Sequence, residues 1–314
     1  MLIRFWGVRG SLPSPKMPSG IKTKIAAILN QMIPEDLTNA ESKERFIAGL
    51  PPWLYGTVGG NSSCVSVDIE GFNEPIVFDC GSGIREMGIA RGAKNPSPSQ
   101  YHIFFSHFHW DHLMGFPFFN PAYHPSVTMD LYSPDAGLEG YLDGMMSPPY
   151  FPVQLENMAA KKNFRLLESP VAIGPATITF KKMNHPGGSF SYTVSHNGKR
   201  FIYATDVELT AADFVPNEEN TAFFKDADVI VLDSQYTPGE VIEKYNWGHS
   251  AFSLSVDFAV NWGIKHLILF HHDPAYDDRK LYGILQSAQR YLQRMDTKKE
   301  IEISLATEGL EISL

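Results

Sequence analysis

Two kinds of apolar pattern run along this chain. Short runs rich in Val, Ile, Phe and Tyr, bounded by Gly, Pro, Asn or Asp, read as strands. They cover Leu2 to Trp6, Val65 to Ile69, Ile76 to Asp79, His102 to Ser106, Thr128 to Tyr132, Ala176 to Lys181, Phe190 to Val194, Arg200 to Ala204, Val229 to Asp233, His266 to Phe270, Ile301 to Leu305 and Leu310 to Leu314. His196-Asn-Gly198 is a two-strand hairpin signal, because Asn-Gly accepts the positive φ of a tight primed turn. Helical spacing is rarer. Leu281, Ile284, Leu285, Ala288 and Leu292 share one face of a helix over Arg279 to Met295. A helix near Ile84 to Ile89 follows the turn Cys80-Gly-Ser-Gly83, and Ser250 stands where it would cap a helix running to Trp262.

Residues 14 to about 55 break this rhythm. Ile21, Ile25, Ile28, Leu29 and Met32 recur at helical spacing until Pro34, and a second short helix is expected over Asn39 to Leu50, before Pro51-Pro52. The segment reads as a helical insertion. It could pack on the core edge, cover a site as a lid, or make an oligomer contact. Elsewhere strands lead and helices follow in each half, which predicts a layered α/β domain with helices outside two sheets. No stretch is rich enough in Pro, Gly or Ser to mark a domain boundary, so residues 1–314 are expected to form one domain.

Composition narrows the class. Hydrophobic residues make up 43% of the 314 positions, ordinary for a soluble globular chain, and the formal charge is −9. So acidic a chain is a poor candidate for a polyanion partner. Its basic groups, Lys161-Lys162 with Arg165, Lys181-Lys182 and Lys298-Lys299, are short and read as solvated faces. Cys64 and Cys80 lie in apolar runs and are expected to be buried free thiols. No apolar stretch approaches the about 18 residues of a membrane span, no signal peptide is evident, and the default location is the cytoplasm.

The chemistry concentrates in His107-Phe-His-Trp-Asp-His112, directly after a strand-like run. Four strong metal ligands within so short a stretch cannot easily all reach one ion. The economical reading gives His107 and His109 to one ion and Asp111 and His112 to a second. Three later residues also sit directly after strand-like runs: His185, Asp206 and His271. An incomplete metal shell demands such ligands. His271 follows its apolar run immediately and is preferred to the adjacent His272.

With these ligands in this order, the chain resembles the metallo-β-lactamase fold superfamily, and most nearly its phosphodiesterase branch, which includes ribonuclease Z and the cyclic-nucleotide phosphodiesterases. Trp6-Gly-Val-Arg-Gly-Ser11, Gly59-Gly-Asn-Ser-Ser-Cys64, Phe78-Asp-Cys-Gly-Ser-Gly83, Trp247-Gly-His-Ser250 and Leu269-Phe-His-His-Asp-Pro274 carry the closer likeness. The resemblance implies a four-layer αββα sandwich. It implies that His107, His109 and His185 hold one ion, that Asp111, His112 and His271 hold the other, and that Asp206 bridges them. It also implies that His249 is a proton donor oriented by Asp233.

Two divalent transition-metal ions are therefore expected, zinc first, with manganese or iron as alternatives. The expected activity is hydrolysis of a small, cyclic or linear, nucleotide or related phosphodiester. Hydroxide bridging the ions would attack, and His249 would protonate the leaving oxygen. His249, Asp233 and Asp111 are the candidate catalytic groups. Arg9, Asn61, Ser62 and Ser63, on polar turns after strands, are candidates for substrate binding. Asp79 is expected to anchor the metal loop by hydrogen bonds. Phe116 to Tyr123 and Met145 to Pro152 are aromatic, proline-rich runs that could sandwich a base or simply pack on the sheet. Little room exists between Asp206 and His249 for a long RNA-gripping arm, so transfer RNA is not an expected partner; a homo-oligomer is possible. The competing functions are a thioester, lactone or sulfate-ester hydrolase on the same fold, or a non-hydrolytic carrier or assembly protein.

Overall fold

Ile3, Phe5 and Gly7 are buried while Leu2, Arg4 and Trp6 are only half-buried, the period-two pattern of a strand with one face on a core. The computed structural model describes every residue except 94–96, 296, 298 and 299, so the Lys298-Lys299 pair lies outside the described residues. The strands are β1 (Leu2–Gly7), β2 (Cys64–Ile69), β3 (Phe72–Phe78), β4 (Gln100–Phe104), β5 (Thr128–Ser133), β6 (Lys161–Leu166), β7 (Val171–Ile173), β8 (Ala176–Met183), β9 (Ser189–His196), β10 (Lys199–Ala204), β11 (Val229–Asp233), β12 (His266–Phe270), β13 (Glu302–Leu305) and β14 (Glu311–Ser313). The helices are α1 (Pro18–Leu29), α2 (Ala40–Gly49), α3 (Pro52–Tyr55), α4 (Gly83–Gly92), α5 (Trp110–Leu113), α6 (Leu138–Met145), α7 (Glu218–Phe224), α8 (Pro238–Glu243), α9 (Phe252–Trp262) and α10 (Asp278–Arg294).

Two seven-stranded sheets form, in the orders β14-β1-β2-β3-β4-β5-β6 and β13-β12-β11-β10-β9-β8-β7. In the orders given, the first sheet is antiparallel from β14 to β3 and parallel from β3 to β6, and the second is parallel from β13 to β10 and antiparallel from β10 to β7. Phe78, Phe104, Tyr192, Phe201 and Tyr203 interlock between the sheets, and their packing is the centre of the larger core. A second core, with Ile84, Met87, Phe105, Phe119 and Leu142, lies on the outer face of the first sheet. Helices α9 and α10 pack on β11, β12 and β13. The architecture is thus the expected αββα sandwich.

Several local readings need correction. Ser250 does not cap α9, whose N-cap is Ala251. Its hydroxyl instead donates to the Val207 carbonyl at 2.6 Å and accepts from the Leu209 N–H at 3.0 Å, tying the turn after β10 to the α9 entrance. Lys161, Lys162 and Arg165 form strand β6, at the edge of the first sheet, where charged side chains discourage pairing with another chain. The Asn197-Gly198 turn has φ of 48° and 72°, as a primed hairpin turn requires. Cys64 and Cys80 are buried and free, and burial pushes both thiols well up.

The insertion, α1 to α3, lies between β1 and β2. Helix α1 ends at Leu29 and buries no residue; Ile21, Ile25 and Leu29 of its predicted apolar stripe are 50%, 54% and 60% exposed. It is held by charge as much as by packing: Lys16 and Lys24 reach the enclosed Asp278 carboxylate of α10 at 2.6 and 2.5 Å.

Candidate metal centre

The residues picked out by the histidine loop come together at one end of the two sheets, where strands give way to loops. His107, His109, Asp111 and His112 follow β4 of the first sheet. His185, Asp206 and His271 follow β8, β10 and β12 of the second. The backbone is bent sharply here: Ser11, Asp79, Asp206 and His271 take positive φ of 63°, 60°, 49° and 59°. Such conformations cost free energy for residues with a Cβ and gather where the fold must aim a side chain.

The ligand atoms fall into two groups sharing one carboxylate. His107, His109, His185 and Asp206 form the first, and Asp111, His112 and His271 the second, with the ligand atoms of each group within 4.8 Å of one another. Asp206 spans both. Its Oδ2 lies 3.5 Å from His107 Nε2 and 3.8 Å from His185 Nε2, while its Oδ1 lies 3.1 Å from both His112 Nε2 and His271 Nε2. Asp111 Oδ2 stands 3.2 Å from the same two nitrogens. His272 takes no part, because its Nε2–H donates to the Ala306 carbonyl at 2.9 Å.

The outer ring nitrogens fix which lone pairs face inward. His112 Nδ1 pairs with Asp79 at 2.8 Å, His185 Nδ1 with the Gly248 carbonyl at 2.8 Å, and His271 Nδ1 with Gln235 Oε1 at 3.0 Å. Each contact holds the ring by Nδ1 and turns Nε2 toward the cluster. Asp79 also accepts from the Ser106 N–H at 2.7 Å, its hydroxyl at 2.6 Å and Tyr203 at 2.9 Å. It thereby anchors the loop from behind, as expected. The Ser11 N–H donates to Asp111 at 2.8 Å.

These residues fit divalent metal ions. His107 Nε2 and His112 Nε2 are buried with no hydrogen-bond partner, a costly state for a polar atom that a metal would relieve. Burial, with the neighbouring His112, holds the His107 imidazole well below its ordinary value; burial also lowers His109 and His185, so all three are neutral, as ligands must be. Burial alone would raise the Asp206 carboxyl, but His112, His271 and His107 hold it well below the usual carboxylate range.

Beside the cluster stands His249, 8% exposed, stacked on His271 with ring centroids 4.9 Å apart. Its Nδ1 meets Asp233 Oδ2 at 2.6 Å. Burial pulls this imidazole down, yet the Asp233 carboxylate outweighs it and the group is pushed up to about 8. Its turn is tightly fitted. Gly248 has φ of 90°, and a Cβ there would lie 2.2 Å from His185 Nδ1. Glu208 accepts from the Asn246 and Gly248 N–H groups at 3.1 and 3.0 Å. A cleft of about 390 Å³ lined by Ser11, Phe108, Trp110, His109, Asp111, Asp206, His249 and His271 opens over the cluster.

Arg9, Asn61, Ser62 and Ser63 do not reach this cleft, contrary to expectation. Arg9 is buried and donates to the carbonyls of Gly59, Asp273 and Tyr276. Asn61 is taken up by Glu308 and Ser82, Ser62 accepts from the Ser82 N–H, and Ser63 faces the Arg9 carbonyl. The turn needs these groups to satisfy its own backbone. Gln235, Ser11, Glu208 and the Gly248 carbonyl were not foreseen as supports. Gln235 had one signal, its place two residues beyond the strand that ends in Asp233.

Comparison with known proteins agrees. The profile of the beta-lactamase superfamily domain matches residues 75–272, more than half of the chain, and the chain belongs to that family. Ribonuclease Z of Streptococcus pneumoniae serotype 19F (strain G54) is 20% identical over 285 residues, covering 74% of this chain and 90% of that protein. Among solved structures, the metallo-beta-lactamase fold protein YhfI from Bacillus subtilis aligns with a TM-score of 0.65 at 15% identity, over 99% of this chain and 98% of that one. The short form of human tRNase Z aligns with a TM-score of 0.63 at 17% identity, over 100% and 99%. The chain is a metal-dependent hydrolase of that superfamily. No helix among the described residues is long and apolar enough to cross a membrane.

Proposed function

We propose that this protein hydrolyses a small phosphodiester, a cyclic nucleotide foremost, with His249 as the general acid. The observation that carries the reading is the His249–Asp233 pair, 2.6 Å apart and beside the ligand cluster. A thioester hydrolase does not need a proton donor of this kind, since its thiolate leaving group departs readily. Two divalent ions, zinc by the nitrogen-rich donor set, held by His107, His109 and His185 and by Asp111, His112 and His271 with Asp206 between them, would neutralise phosphate charge and supply an acidified water as nucleophile.

The remaining work falls to the chain. Asp233 fixes the His249 ring so that Nε2 faces the cleft, and holds the imidazole protonated near neutral pH. When the P–O bond to the leaving group breaks, that proton passes to the departing oxygen, and an alkoxide leaves as an alcohol. Ser11, through its backbone N–H, keeps Asp111 in place.

His249→Ala tests this. It removes the proton donor but none of the seven ligands. Metal content should hold, and hydrolysis of a cyclic nucleotide should fall by about 10² to 10⁴. A p-nitrophenyl ester, whose leaving group is stable unprotonated, should lose little. Equal losses on both substrates would assign His249 another role.

A second reading is favoured by the likeness to ribonuclease Z, which extends over 90% of that protein: cleavage of precursor transfer RNA. The formal charge of −9 weighs against it. Cleavage of a precursor transfer RNA faster than of any cyclic nucleotide in the same panel would establish it instead.

A further inference from the structure

The metal loop alternates in sequence. His107, His109 and Asp111 face the cluster, while Phe108 and Trp110 between them line a second cleft that adjoins the first. This second cleft has a volume of about 790 Å³, within the range of ligand sites. Its wall continues through Phe118, Met145 and Tyr150, from the two aromatic, proline-rich runs, and through Tyr141 of α6, and no charged side chain lines it.

Its aromatic rings are unusually open to water. Trp110 is 79% exposed, Tyr150 80%, Phe118 53% and Tyr141 46%. Apolar surface gathered in one concave place is unfavourable in water and marks a binding site more often than a packing fault. The rings are ordered against one another: Phe108 and Tyr141 lie with centroids 4.6 Å apart, and Phe118 meets Phe151 edge-on at 5.6 Å. The occupant is fixed by continuity. Phe108 and Trp110 belong to both clefts, so a group seated in the second is one residue from the ligand cluster.

We propose that this cleft is the substrate's ester-group subsite, and that it takes a flat, uncharged aromatic ring, held by stacking and apolar contact. A nucleobase is one such ring. With no charged side chain in the wall, the subsite responds to the presence of the ring far more than to its hydrogen-bonding pattern. The proposal rests on the phosphodiesterase reading for the identity of the attached group, a phosphate, but its test needs no turnover.

Phenyl phosphate and methyl phosphate differ only in the ring. Calorimetric titration of the metal-loaded protein should give phenyl phosphate an affinity about ten-fold tighter. In a Phe118→Ala/Tyr141→Ala double variant the two should bind alike, at the wild-type methyl phosphate affinity. Both side chains are about half exposed, so their loss spares the core, and metal content checks that the ligand cluster survives. Equal affinities in the wild type, or a phenyl preference that persists in the double variant, would overturn the subsite. If both ligands bind as expected but no diester is hydrolysed, the subsite stands and the phosphodiesterase reading falls.

Discussion

The helical insertion hangs on one carboxylate, and replacing it should free the insertion. Asp278, in the first turn of α10, has its side chain fully enclosed. It accepts from Lys16 at 2.6 Å, Lys24 at 2.5 Å, the Val58 N–H at 3.0 Å and the Thr57 hydroxyl at 3.3 Å. Burial would raise its pKa, but the two lysines and the Val58 N–H hold it at about 2, against an ordinary 3.8. That difference corresponds to about 2 kcal/mol in favour of the folded, ionised form, after allowance for the partial exposure of both ammonium groups. In Asp278→Ala the buried Val58 N–H also loses its acceptor, for about 1–3 kcal/mol more. The expected local loss is therefore roughly 3–5 kcal/mol. Hydrogen exchange at pH 7 should show residues 18–55 losing protection while the strands of both sheets keep theirs. Because the folded pKa is depressed, the stabilisation is complete above pH 3.8 and fades as pH falls toward about 2. Wild-type protein should lose protection of the insertion over that window, and Asp278→Asn should show no such step. Unchanged exchange over 18–55 in Asp278→Ala would refute the reasoning, and would mean that packing alone docks the segment.

Asp206→Ala removes the carboxylate shared by both ligand groups; elemental analysis should find metal well below that of wild type, and activity on any diester should be lost. Gly248→Ala places a Cβ 2.2 Å from a held imidazole at a φ of 90°, so it should weaken metal retention and lower kcat together, measured by dialysis against a chelator and by steady-state kinetics. Asp233→Asn should leave metal content intact and lower the alkaline limb of the kcat–pH profile below about 8, since the carboxylate is what keeps His249 protonated there.

The ligand cluster was legible because its chemistry is local. The His107-to-His112 loop is contiguous, and His185, Asp206 and His271 each follow an apolar run that only a strand explains. The αββα layering followed from strands preceding helices in each half, together with the family likeness. What escaped depends on contacts distant in sequence. Arg9 and Ser62 look like ligand-binding groups until Gly59, Tyr276 and Ser82 are seen to claim them. Ser250 has the right residue type for a cap, but the Val207 carbonyl takes its hydroxyl. The stripe on α1 has helical period, yet Ile21, Ile25 and Leu29 remain exposed, because the sequence cannot say what a helix face will meet. Strand β6 was hidden by its lysines, which belong on an edge and not in a core.

The ligand cluster draws on both halves of the fold, and this ties ion occupancy to assembly. Everything up to β6 brings His107, His109, Asp111 and His112; everything from β7 onward brings His185, Asp206 and His271. Only the connection of residues 167–170 and the return of the chain to β14 join the two halves covalently. Ions seated between them would act as rivets across the seam. Two fragments divided within 167–170 would each carry an incomplete ligand set, and added metal would drive their reunion into one working enzyme.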